Sequence, residues 1–299
     1  MLKHIAFATD LNYSGYLAAT LQSLKVNSAM DERVQVHVVH SELDDKILGI
    51  YKDILKGSNF DLNIIKVDVS EFKTYSTYFY FTPAVYFRIK LPGLIQEADR
   101  IVYIDSDTII RKPLRPLFEM DLQDRALAAV ENPFFERHGE LDMPAGVKYF
   151  NSGVMVLNAR KFREENLMDK VFLFAMKYGD KLTYVDQDAL NGVLHDDWIP
   201  LSPEWNSQTI YYILRNAGDP MPDGVYPETL KDPAIVHFTT KSKPWHYMNN
   251  HPFRKEFLAY YRDAGFRVEF EDYSIRNVLK KNYGMHVKRN NYIDYRYNF

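Results

Sequence analysis

Along the N-terminal part of the chain, short apolar runs alternate with longer amphipathic ones. Ile5 to Thr9, Val34 to His40 and Leu62 to Val67 are rich in β-branched residues and predict strands, while Ser14 to Val26 and Asp44 to Lys56 carry helical spacing. A β-α-β-α-β order implies right-handed crossovers and a parallel sheet with helices on both faces, a Rossmann-like α/β fold. Further strands are predicted at Ile101 to Ile104, Leu127 to Val130, Gly153 to Leu157 and Ala234 to Phe238. Lys161 to Tyr178 and Gln187 to Leu194 read as helices, and Thr82-Pro83 marks another helix start after the aromatic stretch Tyr75 to Phe81. Trp205 to Pro233, rich in Pro, Asn and Tyr, predicts a long irregular segment acting as a lid or acceptor wall.

Candidate chemistry begins where the apolar run Ile101 to Ile104 ends in Asp105-Ser106-Asp107. Ligands of open α/β sheets sit beyond the carboxyl ends of strands. In extended backbone residues i and i+2 share a side, so Asp105 and Asp107 are able to hold one divalent ion while Ser106 points away. The spacing alone is weak evidence, because Asp-x-Asp recurs at Asp186-Gln187-Asp188 and is common in turns. Arg88, set among Val85, Phe87, Ile89 and Leu91, needs an anionic partner if buried, which an internal ion pair would also supply. The first strand is followed by no Gly-rich phosphate loop but by Thr9-Asp10-Leu11-Asn12-Tyr13, polar groups suited to a base or ribose and equally to capping the next helix.

Composition narrows the classes. With 299 residues, 46% hydrophobic and 26% charged, the chain has material for one large domain or two small ones. A formal charge of −3 supplies no basic field for nucleic acid. The absence of cysteine removes disulfides, thiolate metal sites and a Cys nucleophile, and fits a reducing compartment. Met1 to Asp10 reads as a first strand rather than a signal peptide, and no apolar stretch approaches the roughly 20 residues of a membrane span. A cytoplasmic protein is the expectation.

Six ordered segments then resemble the retaining glycosyltransferases of family 8: Phe7 to Tyr13, Arg88 to Leu91, Tyr103 to Asp107, Tyr149 to Val154, Asp186 to Asn191, and His237 to Trp245. The family has a GT-A fold and includes lipopolysaccharide galactosyl- and glucosyltransferases and glycogenin. The resemblance covers roughly residues 4–262. It implies a GT-A catalytic domain over 1–262, a mixed sheet flanked by helices, and a small C-terminal extension over 263–299. It also implies that Asp105, Asp107 and His237 bind Mn²⁺, with Mg²⁺ as the substitute; two carboxylates and an imidazole suit Mn²⁺ better. Asp10 and Asn12 would hold uridine, with Thr9 and Ser106 beside them. Arg88, Asn151, Asp186 and Gln187 would surround the donor sugar, Lys243 would meet the diphosphate, and Asp186 and Gln187 would be the catalytic pair.

The implied reaction moves glucose or galactose from UDP-glucose or UDP-galactose to a glycan or glycolipid hydroxyl, as in lipopolysaccharide or polysaccharide synthesis. Double displacement needs a carboxylate at the anomeric carbon, whereas the family pattern places Gln187 there, which favours front-side substitution. Three positions depart from the pattern: Asn132, where relatives carry Asp; Thr240, in place of Gly; and Tyr80, where several relatives have His. They keep open a sugar-nucleotide-binding protein with little transfer. A nucleotidyltransferase is the other alternative, and it lacks its phosphate loop here. From Lys280 onward basic residues interleave with Tyr283, Tyr292, Tyr295, Tyr297 and Phe299, which suggests peripheral contact with an anionic inner-membrane face or a tail packed on the protein.

Overall fold

The computed structural model describes residues 2–28, 30–69 and 86–286. Seven strands form one sheet in the order β3-β2-β1-β4-β7-β6-β8. They are β1 (Lys3–Ala8), β2 (Val34–His40), β3 (Phe60–Lys66), β4 (Arg100–Ile104), β6 (Leu127–Glu131), β7 (Phe150–Asn158) and β8 (Trp198–Pro200). A second sheet joins β5 (Thr108–Ile110), β10 (Ile235–His237) and β9 (Ser207–Gln208) in the order β5-β10-β9. The β1–β2, β2–β3 and β1–β4 pairs are parallel, whereas β7 runs antiparallel to both β4 and β6. The sheet is therefore mixed, in the GT-A manner.

Strand order explains where a ligand can sit. From β1 the chain builds outward through β2 and β3, then returns to the other side of β1 as β4. The loops after β1 and β4 consequently diverge and leave a crevice. Ile101, Val102, Tyr103 and Ile104 are fully buried because helices cover both faces of β4. One face packs against the helix Phe87–Leu94 and the helix Leu167–Tyr178, the other against Ser14–Asn27 and Asp45–Leu55. Burial of a side chain as large as Leu or Phe stabilises the fold by about 1.5–3 kcal/mol.

Two element predictions need correction. The single helix expected over Lys161 to Tyr178 is two, Ala159–Glu164 and Leu167–Tyr178, because Asn166 adopts φ 53° and breaks the chain direction. Trp205 to Pro233 is not irregular. It holds the end of a 3₁₀ turn (Pro203–Asn206), β9, and the helices Thr209–Ala217 and Pro227–Lys231. Ile210, Tyr211 and Tyr212 are buried, so consecutive apolar residues masked the helical period.

The helix Arg254–Asp263 packs Phe257 and Leu258 beside Ala19, Val236 and Trp245. Beyond it, Ala264 is buried with the main core, and Asp272 accepts the Met248 amide at 3.2 Å. The chain then enters the helix Ile275–His286. No helix among the described residues is long and apolar enough to cross a membrane. Tyr75 to Thr82, with Tyr80 and the Pro83 helix start, and the tail from residue 287 lie outside the described residues.

Candidate active site

Strand pairing assembles three potential metal donors. Asp105 follows β4, and its amide donates to Gly153 O on β7 at 2.8 Å. The chain then turns into β5, whose Thr108 pairs with His237 of β10, while Phe238 N donates to Asp107 O at 3.1 Å. One ligand atom each from Asp105, Asp107 and His237 lies within 4.8 Å of the others. His237 Nε2 is 3.3 Å from Asp107 Oδ1 and 3.6 Å from Asp105 Oδ2.

The residues fit a divalent ion on two observations. First, Gly153 leaves room for the cluster: a Cβ there would lie 2.1 Å from His237 Cε1 and 2.8 Å from Asp105 Oδ2. Second, the imidazole presents the right nitrogen. His237 Nδ1 is 2.9 Å from Asn206 Oδ1, an acceptor, so Nδ1 carries the proton and the Nε2 lone pair faces the carboxylates.

Arg88 and Lys243 balance the charge. Arg88 reaches Asp105 Oδ1 at 3.0 Å and Asp186 Oδ2 at 2.9 Å, and donates to Ser152 O and Oγ at 3.1 Å. Its guanidinium also lies 4.9 Å from the Tyr103 ring centroid. Lys243 Nζ is 2.6 Å from Asp107 Oδ2. Burial alone would raise the Asp107 pKa, but the Lys243 ammonium outweighs it and holds the carboxyl well below its ordinary range. Burial lifts Asp186 to about 6 instead, since it shares Arg88 with Asp105 and feels that second carboxylate.

The two Asp-x-Asp segments have different fates. On the helix Val185–Leu194 residues i and i+2 diverge, so Asp186 meets Arg88 whereas Asp188 turns inward. Asp188 accepts from Tyr149 Oη at 2.6 Å and Tyr184 N at 2.9 Å, and faces Arg137 at 3.5 Å. Gln187 Oε1 accepts from Asn151 Nδ2 at 3.1 Å and Ser152 N at 3.0 Å, and its Nε2 donates to Tyr149 Oη at 3.3 Å. Val185 begins this helix at φ 46°, a strained conformation for a β-branched residue, immediately before Asp186 and Gln187.

Two cavities flank the cluster. The larger, about 780 Å³, is lined by Arg88, Asp105, Asp107, Asn151, Asp186, Gln187 and His237, with Asn132, Phe134 and Leu214 forming its outer wall. The other, about 640 Å³, is bounded by Asn12, Tyr13, Tyr16, Thr240, Lys243 and Trp245. Both reach Thr239. Tyr16 stacks on Trp245 with centroids 3.4 Å apart, and Tyr13 meets both rings edge-on.

Among the other predicted site residues, Asp10 Oδ1 accepts from Tyr13 N at 2.9 Å and so shapes the loop that presents Asn12. Thr9 and Ser106 are buried and spend their hydroxyls on backbone, Thr9 on Asp10 O at 3.2 Å and Ser106 on Ala8 O at 2.9 Å. The Ser106 bond ties the end of β1 to the loop after β4. Asn206 bridges His237 and Asn151, and no motif around it distinguishes it from Asn216, the other asparagine between Trp205 and Pro233.

The glycosyl transferase family 8 profile matches residues 4–249. The chain belongs to this family. As such it is a glycosyltransferase. General stress protein A of Bacillus subtilis is 31% identical over 265 residues, 87% of this chain and 93% of that protein. Lipopolysaccharide 1,2-glucosyltransferase of Escherichia coli is 24% identical over 302 residues, 97% of this chain and 87% of that one. Some relatives are longer: a putative glycosyltransferase of Haemophilus influenzae is 27% identical over 195 residues, 64% of this chain but 58% of its own length. Among solved structures, the galactosyltransferase LgtC in complex with donor and acceptor sugar analogs superposes with a TM-score of 0.75 at 24% identity, covering 93% of this chain and 99% of LgtC. That likeness establishes the shared GT-A fold.

Proposed function

We propose that this glycosyltransferase moves glucose or galactose from a UDP-sugar to a hydroxyl of a glycan or glycolipid, with retention at the anomeric carbon. The observation that carries the reading is the convergence of Asp105, Asp107 and His237 between two cavities, with Lys243 on one side and the Arg88–Asp186 pair on the other. The aromatic crevice beside Asn12 suits uridine, and the polar cavity beside Asn151 and Asp186 suits the hexose. Relatives that bear a lipopolysaccharide glucosyltransferase name and a galactosyltransferase name support a hexosyl donor.

Asp105, Asp107 and His237 would hold Mn²⁺, or Mg²⁺ in its place. Such an ion, when bound, offsets charge on a departing diphosphate. Lys243 donates to the diphosphate as it leaves, a contact that strengthens as the charge develops. Arg88 fixes Asp105 and Asp186 against the sugar pocket. Gln187 is a poor nucleophile whose carbonyl oxygen already accepts two hydrogen bonds, so it positions the donor rather than attacking it. Front-side substitution follows, with the leaving diphosphate taking the acceptor's proton. A glycosyl adduct on Asp186 or Gln187, trapped and seen by intact mass, would contradict this.

The acceptor side is walled by exposed Phe134 together with Ile210 and Leu214, surfaces suited to the apolar face of a sugar ring or to a lipid-linked glycan. Ile275, Leu279 and Tyr283, spaced four apart on the terminal helix, are 82%, 65% and 57% exposed. With the basic residues from Lys280 onward, this stripe supports a cytoplasmic enzyme peripherally bound to an anionic membrane face. Loss of residues 280–299 should then abolish binding to anionic vesicles.

The decisive experiment is UDP release from a panel of UDP-sugars with Mn²⁺, against EDTA and Asp107→Ala controls. Metal-dependent release with one preferred sugar is expected. Nucleotide binding without release from any donor, even with glycan acceptors present, would instead indicate a sugar-nucleotide-binding protein.

A further inference from the structure

At the other end of β1 from the active site, His4 and His37 face one another from adjacent parallel strands. Ala6 pairs with His37, so both side chains occupy the same face of the sheet. Their rings stack at 5.3 Å with 19° between planes, and His4 Nδ1 is 3.0 Å from His37 Nε2. Both are buried, 3% and 0% exposed, although a strand interior would ordinarily be apolar here. Glu97, on the turn leading into β4, completes the group: one ligand atom from each of His4, His37 and Glu97 lies within 4.8 Å of the others.

We propose that His4, His37 and Glu97 form a second metal site, distinct from the Asp105, Asp107 and His237 cluster and selective for a borderline ion of the Zn²⁺ class. Two imidazoles and one carboxylate are a recurrent zinc set, with the remaining position open to water. The other cluster, with two carboxylates and one imidazole, favours harder ions. The tetrahedral N···N separation implied by Zn–N bonds of 2.0–2.1 Å is about 3.3 Å, so the pair has to open by only a few tenths of an ångström.

The Asn63 Nδ2 lies 3.0 Å from His37 Nδ1 and donates to it, which places the His37 proton on Nε2, facing His4 Nδ1. When an ion binds, the Asn63 amide has to turn over, so that its oxygen accepts the Nδ1 proton and His37 Nε2 is free to ligate. His4 ligates through Nδ1 and keeps its proton on Nε2. No net proton is lost when both rings start neutral, and burial, the main influence on each, lowers both pKa values, His37 to about 4. Access exists as well. A crevice of about 660 Å³ has His4, Glu97 and Asp99 on its lining, and Lys3, which shares it, is paired with Glu32 at 3.1 Å. A bound ion would staple β1, β2 and the approach to β4 together.

The test uses the metal-stripped full chain carrying Asp107→Ala, which disables the other cluster, titrated with ZnCl₂ by calorimetry and followed by thermal unfolding. One Zn²⁺ per chain and a rise in Tm are expected. Adding Glu97→Gln, a surface change that leaves the core intact, should weaken the affinity at least tenfold and abolish the Tm rise. Absence of Zn²⁺ binding to the Asp107→Ala protein, or an affinity unmoved by Glu97→Gln, would overturn the site and leave His4 and His37 as a hydrogen-bonded core pair.

Discussion

His237 and Asn206 are joined by a 2.9 Å bond from Nδ1 to the amide oxygen, and that bond starts a chain running through the site. Asn206 Nδ2 donates to Asn151 Oδ1 at 2.8 Å, Asn151 Nδ2 to Gln187 Oε1 at 3.1 Å, Gln187 Nε2 to Tyr149 Oη at 3.3 Å, and Tyr149 Oη to Asp188 Oδ1 at 2.6 Å. Each group donates toward Asp188, whose other oxygen also accepts. Direction is thereby imposed from one end to the other, and the His237 tautomer with a free Nε2 is its consequence.

Asn206→Ala removes the orienting acceptor and leaves Asn151 Oδ1 without this donor. Stability should fall by about 1–2 kcal/mol. Mn²⁺ affinity should fall about 10–100-fold, the usual effect of losing an outer-shell partner. Calorimetric titration of the folded variant measures the second effect separately from the first. Unchanged Mn²⁺ affinity would show that the chain does not govern His237.

Gly153→Ala tests close packing rather than hydrogen bonding. The added methyl would overlap His237 Cε1 at 2.1 Å and crowd Asp105 Oδ2 at 2.8 Å, contacts too short to persist. Separation of the ligands, with metal-dependent UDP release down at least about 100-fold, is the expected result, because misplacement by about 1 Å is enough for a loss of that order. Overpacking adds about 1–3 kcal/mol of destabilisation, read from urea unfolding. Release within a few-fold of wild type would mean that the cluster has slack.

The parallel core and Asp105 were legible because β4 is buried on both faces and writes itself as a continuous apolar run. The same reading could not separate Asp186 from Asp188. Strand periodicity puts i and i+2 together and helix periodicity turns them apart; only the family resemblance favoured Asp186 in the sequence, and the helix Val185–Leu194 gives the geometric reason. Asn206 was invisible for a different reason: its partners His237 and Asn151 are distant in sequence, and its 3₁₀ turn has no signature. The helix Thr209–Ala217 was lost because Ile210, Tyr211 and Tyr212 are consecutive and all buried.

Lys243→Met separates the two partners of Lys243. Its ammonium, 2.6 Å from Asp107 Oδ2, competes with a divalent ion for that oxygen, yet would bind the diphosphate once the ion is present. Mn²⁺ alone should bind the variant as tightly as wild type or several-fold tighter. UDP affinity in saturating Mn²⁺ should drop about 10–100-fold, as expected for a lost charge-assisted bond of about 1.5–3 kcal/mol. Parallel calorimetric titrations compare the two, and weakening of Mn²⁺ with no effect on UDP would reverse the assignment.

Acid sensitivity should arise partly from His251, which lies between Tyr212 and Phe238 with ring centroids 4.6 and 4.7 Å away. Its Nδ1 accepts from Phe253 N at 3.2 Å, and burial lowers its pKa from 6.5 to about 3. Tyr212, the titratable ring against it, is itself shifted upward by burial and stays neutral at acid pH. The unfolded chain thus binds a proton near pH 6.5 that the folded chain refuses until about pH 3, so stability is full above 6.5 and is lost as pH falls through that window. The slope from this one group approaches about 1.4 kcal/mol per pH unit. His251→Leu, less stable near pH 7 for want of the acceptor, should lose stability more slowly on acidification, so that its gap to wild type narrows by pH 5. Urea midpoints measured at several pH values test this, and two parallel profiles would show that His251 takes no part in the acid response.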